Sequence, residues 1–413
     1  MLVPICAEPL ADGAVVTSAE RILAVGTRRE MTRAFPDCPV RVYPGVLTPG
    51  LVNAHTHLEY GPSFADLARS GLPFVKWINT LVGRRDAMSQ AGWLADARGS
   101  VRAALASGTT AVADIVTIGP GIVAAAEAGL GGVSYVETVG VDQAHWPAER
   151  ARLTAALTVG PAERRLGLSP HTLYTVDTSA FRGILALARD GGRRLHTHLA
   201  ESADESEFVL SGVGPIARTL SALGIDHDLL ERGAGCTPTR RLDAIGGLGP
   251  DVHVAHGVHV DAEDRALLRE RGSSVALCVR SNRILQAGTP AVADYLADGN
   301  PIAIGTDSLA SSPSLDVLEE TAAVFAVALA QGASPQGLAA RLVDAATRGG
   351  ASALGLPDAG ILRAGCRADF AVFDVPTDGD PYEALVAHGG GRCVATVIGG
   401  RPVSEPADSG RRS

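Results

Sequence analysis

The sequence predicts an α/β protein: a (β/α)8 TIM barrel with a small β-sandwich module built from both termini. Three observations predict it. Eight β-rich runs alternate with Ala/Leu/Arg-rich segments of helical composition. Both ends of the chain read as short strands punctuated by Gly, Pro and Asp. Side chains able to bind metal gather where the apolar runs stop. At 413 residues the chain is too long for one ordinary compact domain and suits a barrel plus a module. The expected division is 1–48 for the first part of the module, 49–354 for the barrel, and 355–413 for the second part and a tail.

"GAVVTSAERILAVGT" and "CPVRVYPGVLTPG" open the chain with alternating valines and turn residues. The barrel strands are then "GLVNAH", "TTAVADIV", "GVSYVETV", "LGLSPH", "RRLHTHLAE", "DVHVAHG", "SVALCV" and "PIAIGTD". Between them, "WLADARGSVRAALASG", "SAFRGILALARDGG" and "DAEDRALLRERG" read as helices closed by glycine. "GILRAGCRADFAVFDVP" and "RCVATVIGGRPV" return to the module, and "SEPADSGRRS" is expected to fray. An open doubly wound sheet is the alternative. It needs a Gly-rich phosphate turn after its first strand, where this chain has "NAHTHLE".

Hydrophobic residues make up 46% and charged residues 20%, enough for a large core and too apolar for wholesale disorder. A net charge of −9 without a basic cluster argues against nucleic acid or an anionic membrane as partner. A small molecule is the expected one. No apolar run reaches membrane-spanning length, and "MLVPICAEPLADG" lacks the basic leader of a secretory signal. Six scattered cysteines without a CxxC pair point away from disulfides or a cysteine-zinc knuckle, so a cytoplasmic location is expected.

In a strand, alternate residues share a face, so His55 and His57 point the same way. The other strand ends offer Asp114, Glu137, His171, then His196, His198 and Glu201, then His253, His256 and His259, then Arg280 and Asn282, and finally Asp307. Eight of the eleven histidines fall in four short stretches, each closing an apolar run. In a β/α barrel those ends line the active site. Three imidazoles and a carboxylate suit zinc with a further position open for water. A divalent ion lowers the pKa of bound water from roughly 15.7 to about 7, and a nearby carboxylate can then move protons. Taken singly, these residues also have bland readings as buried structural histidines or a helix-capping aspartate.

Together, "PGLVNAHTH", "HTHLAES", "VAHGVHV", "SNRIL", "GTDSLASSPSLDVLEE" and "GILRAGCRADFAVFD" resemble the amidohydrolase superfamily. The match is to its mononuclear branch of nucleoside and guanine deaminases and s-triazine hydrolases. "NAHTHLEY…FVKW", "RSNR" and "GTDSLASSPSLD" most resemble the aminodeoxyfutalosine deaminases of the alternative route to menaquinone. The resemblance implies a hydrolytic deaminase of an adenine-type base or nucleoside. A triazine hydrolase, an imidazolonepropionase-type enzyme and a barrel without turnover are the alternatives. It implies that His55, His57, His198 and Asp307 bind one divalent ion, zinc being expected and Fe2+ or Mn2+ also suited to such a cage. Glu201 is then the proton shuttle, Asp307 also takes part in catalysis, and His256 polarises without ligating, although His256 could instead be a ligand. His171 would contact substrate.

Binuclear relatives bridge two ions with a carbamylated lysine, but Lys76, the only lysine, lies after the first barrel strand. Arg280 and Arg283 could grip a substrate carboxylate. Glu59 and "PSFADLARSGLPFVKW" could form a lid, with Phe74 and Trp77 against a flat ring. Asn282 completes the expected substrate contacts, and a homodimer is a family-level expectation. Two departures bear on specificity: "HTLYT" after strand four, with Thr172 and Leu173 in place of a small residue and proline, and Val279 and Arg280 after Cys278 where relatives have proline.

Overall fold

The computed structural model describes residues 1–72 and 74–404. The tail expected to fray lies, from residue 405, outside the described residues. An antiparallel hairpin, β1 (Gly13–Ser18) and β2 (Arg21–Thr27), comes first, followed by β3 (Val46–Pro49). Eight parallel strands then form one sheet in chain order. They are β4 (Leu51–Thr56), β5 (Thr109–Val116), β6 (Gly131–Thr138), β7 (Arg165–Pro170), β8 (Leu195–Leu199), β9 (Val252–His256), β10 (Ser274–Leu277) and β11 (Ile302–Ile304). Each overlaps one of the eight runs read from the sequence, and only β4, β6 and β7 reach one residue beyond theirs. β4 and β5 are buried at every position, as strands covered on both faces require.

The seam between β4 and β11 is closed by individual hydrogen bonds. Asn53 donates through Nδ2 to Thr306 Oγ1 at 2.7 Å and accepts the Thr306 N–H through Oδ1 at 3.1 Å. The Asp307 N–H donates to the His55 carbonyl at 2.9 Å. First and last strands are thus joined at the end where their polar residues emerge. Gly305 makes this approach possible: a Cβ there would sit 2.7 Å from the His55 Cβ.

The helices form as their caps dictate. Thr178–Asp190 starts on Asp177, whose side chain accepts the Ser179 N–H. Ala262–Arg271 starts with a reciprocal capping box between Asp261 and Asp264, and ends at Gly272 with φ 72°. β12 (Phe370–Phe373), β13 (Cys393–Ile398) and β14 (Arg401–Ser404) form a four-stranded antiparallel sheet with β3. Leu2 and Ile22 pack with Ile361, Leu362, Cys366 and Ala368, so both ends of the chain build one small β module.

One expected element differs. β10 stops at Leu277, and Val279–Ile284 is helical. Cys278, at φ −125° and ψ 57°, ends the extended run. At about 100° per residue, Arg280 and Asn282 therefore point to different sides of a helix rather than sharing a strand face. Among the described residues, no helix is long and apolar enough to cross a membrane.

Candidate active site

Side chains from β4, β8 and the loop after β11 converge at the C-terminal mouth of the barrel. His57 Nε2 lies 3.3 Å from His198 Nε2. Asp307 Oδ1 lies 3.6 Å from both His55 Nε2 and His57 Nε2. Two atoms bound at about 2.0–2.1 Å to one tetrahedral ion stand about 3.4 Å apart, so these separations fit a single divalent cation. His55 Nε2 is buried without a hydrogen-bond partner, which the same fit explains.

The surrounding bonds aim these atoms. His198 Nδ1 sits 3.2 Å from the His171 carbonyl, so Nδ1 carries the proton and Nε2 keeps its lone pair. His55 Nδ1 meets His196 Nε2 at 3.1 Å, and His196 Nδ1 meets Ser169 Oγ at 3.4 Å, a relay that leaves His55 Nε2 free to ligate. Asp307 Oδ2 accepts from Ser281 Oγ at 2.6 Å and Ser311 Oγ at 2.8 Å, which turns Oδ1 inward. Burial lowers the imidazole pKa values, His57 to about 3 and His198 and His256 to about 4, so all are neutral. Burial pushes the Asp307 carboxyl the other way, but the imidazoles and serine hydroxyls outweigh it and keep it ionised. Ser281 and Ser311 were not singled out by sequence; their only signal is the serine-rich "SLASS" and "RSN" around the ligand loops.

Glu201 and His256 face each other beside this cage, with Glu201 Oε1 at 3.7 Å from His256 Nε2. Burial, and then the Asp307 charge, raise Glu201 to about 8, so its carboxyl is protonated at neutral pH. Asn282 Nδ2 sits 3.0 Å from His256 Nδ1; with an amide donor there, the imidazole proton belongs on Nε2. Ala200, His256 and Asp307 all have positive φ, at 51°, 74° and 59°. Such strain in non-glycine residues costs roughly 1–3 kcal/mol each and collects at functional sites.

Other expected contacts are corrected. Glu59 is no lid residue: its buried carboxylate accepts the N–H groups of Thr117, Ile118, Gly119 and Gly121 and holds the loop after β5. Arg280 does not grip a ligand. Its five N–H donors go to Glu320, Glu319, the Ser314 side chain and the carbonyls of Ser314 and Asp316. The cause is the helical turn after Cys278, which sends its side chain toward helix Val317–Ala330. Trp77 is buried with Tyr60, Phe64, Trp93 and Leu285, and its indole N–H donates to the Ala310 carbonyl at 3.1 Å. It braces the loop after β11 instead of presenting a face to substrate. The Phe74 side chain lies outside the described residues.

Asn282 touches His256, as above, so its placement is that of a support. His171 is only partly buried and binds Thr175 Oγ1 through Nδ1 at 2.9 Å, with its ring against His198. Glu137 holds one oxygen on Thr117 Oγ1, and its other oxygen is 3.9 Å from His198 Nδ1; burial raises it to about 8. Asp114 accepts from the Leu58 N–H and Ser134 Oγ on the side of β5 that faces the helix beginning at Pro120. His253 donates to the Ala54 carbonyl at 2.6 Å and His259 to Ala287 at 2.7 Å, both structural bonds. Cys278 is fully buried, and Lys76 is exposed on helix Phe74–Ala87.

The chain matches the amidohydrolase family over residues 46–403 and a bacterial imidazolonepropionase-like composite domain over 13–37. It is 32% identical over 354 residues to the aminodeoxyfutalosine deaminase of Deinococcus radiodurans, covering 83% of this chain and 81% of that protein. It is 33% identical over 379 residues to the 5-methylthioadenosine/S-adenosylhomocysteine deaminase of Natronomonas pharaonis, covering 87% and 81%. The crystal structure of an adenosine deaminase from Xanthomonas campestris with bound zinc superposes with a TM-score of 0.78 at 25% identity, covering 97% of this chain and 90% of that one.

Proposed function

The chain belongs to the amidohydrolase family and is a hydrolase of non-peptide carbon–nitrogen bonds, and we propose that it deaminates the adenine-type ring of a nucleoside, 6-amino-6-deoxyfutalosine of the menaquinone route. The observation that carries this reading is one cage of three imidazoles and a carboxylate beside the Glu201 carboxyl and the His256 imidazole, which face each other at 3.7 Å.

His55, His57, His198 and Asp307 would hold the cation, zinc being the choice that the donor set and the zinc-bound relative support. When bound, it supplies hydroxide at neutral pH. Glu201 then gives its proton to the ring nitrogen beside the amino-bearing carbon, drawing electrons from the carbon under attack. His256 Nε2–H donates to the oxygen as charge builds there, as an oxyanion hole does. Asn282 keeps that proton on Nε2. Asp307 Oδ1, which accepts the Ser308 N–H but neither of the serine hydroxyls held by Oδ2, receives the hydroxyl proton and passes it to the amino nitrogen, which leaves as ammonia.

A second reading has its own support. With every Arg280 donor committed, the residue read as partner for the aminodeoxyfutalosine benzoate is lost. A 5′-substituted adenosine without a carboxylate, such as methylthioadenosine, needs no such partner, and a 33% identical relative is named for it. Ammonia release measured on aminodeoxyfutalosine, adenosine, methylthioadenosine, S-adenosylhomocysteine, guanine and cytosine tests both. The highest kcat/KM is expected on aminodeoxyfutalosine. Preference for methylthioadenosine would transfer the assignment to the second reading, and no ammonia from any of the six would overturn the deaminase proposal.

A further inference from the structure

The turn after β8 is held by a residue with no part in the steps above. Helix Ala203–Ser211 starts on Ser202, whose side chain accepts the Glu205 N–H. In the Ser-x-x-Glu spacing of "SADE", a glutamate normally returns the bond to the cap residue's own N–H. Glu205 reaches further back. Its Oε1 accepts the Ala200 N–H at 2.9 Å and its Oε2 the Glu201 N–H at 2.9 Å. The side chain is completely buried, and burial raises its pKa to about 7. A carboxylate in such a place costs stability unless its bonds are needed.

The corner it holds is strained and shared. Ala200 has φ 51°, a conformation that persists in a non-glycine residue only where the surroundings enforce it. The Ala200 carbonyl accepts the N–H groups of Val258 at 3.0 Å and His259 at 2.8 Å, from the stretch just beyond His256. Glu205 therefore fixes two successive peptide groups from one side, while the His256 loop docks on the other.

We propose that Glu205 is a positioning residue for Glu201: by clamping peptides 200 and 201 it sets where the Glu201 carboxyl stands relative to His256 and the substrate nitrogen. The proposal rests on the shuttle role given to Glu201. Proton transfer is sensitive to placement, an error of about 1 Å being able to cost on the order of 100-fold in rate.

The test is a double-mutant cycle on the best substrate of the panel, with metal content measured for every variant. Glu205→Gln keeps one acceptor oxygen and should lower kcat about 10- to 100-fold, with KM within about threefold and metal content unchanged. Glu205→Ala should lower kcat further; if it fails to fold, the Gln variant carries the test. In a Glu201→Gln background, Glu205→Gln should cost nothing more, because the group it positions is gone. An equal loss in both backgrounds, a loss that tracks metal content or KM, or an unchanged kcat would overturn the proposal. A wild-type enzyme that releases no ammonia would instead overturn the functional reading beneath it.

Discussion

Replacing Arg280 with alanine separates a structural role from a substrate-binding one. Arg280 Nε stands 2.6 Å from Glu320 Oε2, and their side chains are 7% and 0% exposed. Its second pair, to Glu319, has a partner 42% exposed and contributes about 0–1 kcal/mol. Glu320 is different. Without the guanidinium its fully buried carboxylate keeps only backbone N–H groups, that of residue 280 at 3.0 Å and that of Val279. Stranding one half of a buried pair costs about 3–5 kcal/mol, a large fraction of the roughly 5–15 kcal/mol that stabilises a typical fold. Urea unfolding of the metal-loaded enzyme should show a loss of that size. Adding Glu320→Gln should recover part of it, since no charge is then stranded. KM should stay within about threefold of wild type. A variant that unfolds within 1 kcal/mol of wild type while its KM rises tenfold or more would refute the structural role and restore Arg280 to the substrate pocket.

Glu59→Gln should destabilise the protein by about 2–4 kcal/mol, because an amide cannot accept all four backbone N–H bonds and each stranded donor costs about 1–3 kcal/mol; urea unfolding with an unchanged KM is the expected result, and a selective rise in KM would argue for the lid role. Glu201, raised to about 8 by burial and the Asp307 charge, must be protonated to act as an acid. The kcat/KM profile should therefore fall as pH rises through a value at or below about 8, since a bound cation draws the group down; a rate still climbing at pH 9 would contradict this. The sign carries over to stability: the folded, metal-free protein holds a proton there that the unfolded chain has lost, so it should weaken as pH climbs from about 5 to 8. Dipicolinate should abolish activity and lower the melting temperature, and one equivalent of zinc should restore both; an enzyme still active after complete removal of metal would remove the cation from the chemistry.

The barrel was legible because its strands are buried on both faces and so read as continuous apolar runs, each stopped by the polar residue the mouth requires. The strand-end histidines and Asp307 stood out as a group for the same reason, an abrupt change of chemistry after an apolar run, whereas the choice of His55, His57, His198 and Asp307 among them came from the family resemblance. Glu59, Arg280 and Trp77 were misread because their partners are set by tertiary contact. Glu59 finds its four amides 58–62 residues away, and Trp77 its carbonyl 233 residues away. Arg280 was also placed on the wrong element, since "SVALCVRSN" gives no local sign that the chain turns helical after Cys278. Glu205 shows a subtler limit. Its spacing from Ser202 announces a capping box, while the side chain serves the two residues before the cap.

Anomalous diffraction at the zinc edge, on crystals of protein purified without added metal, addresses the metal cage most directly. One ion per chain is expected, within about 2.0–2.2 Å of Nε2 of His55, His57 and His198 and of Oδ1 of Asp307. A second ion at the mouth, a coordinated His256, or an ordered cage from which any of the four side chains turns away would contradict that assignment.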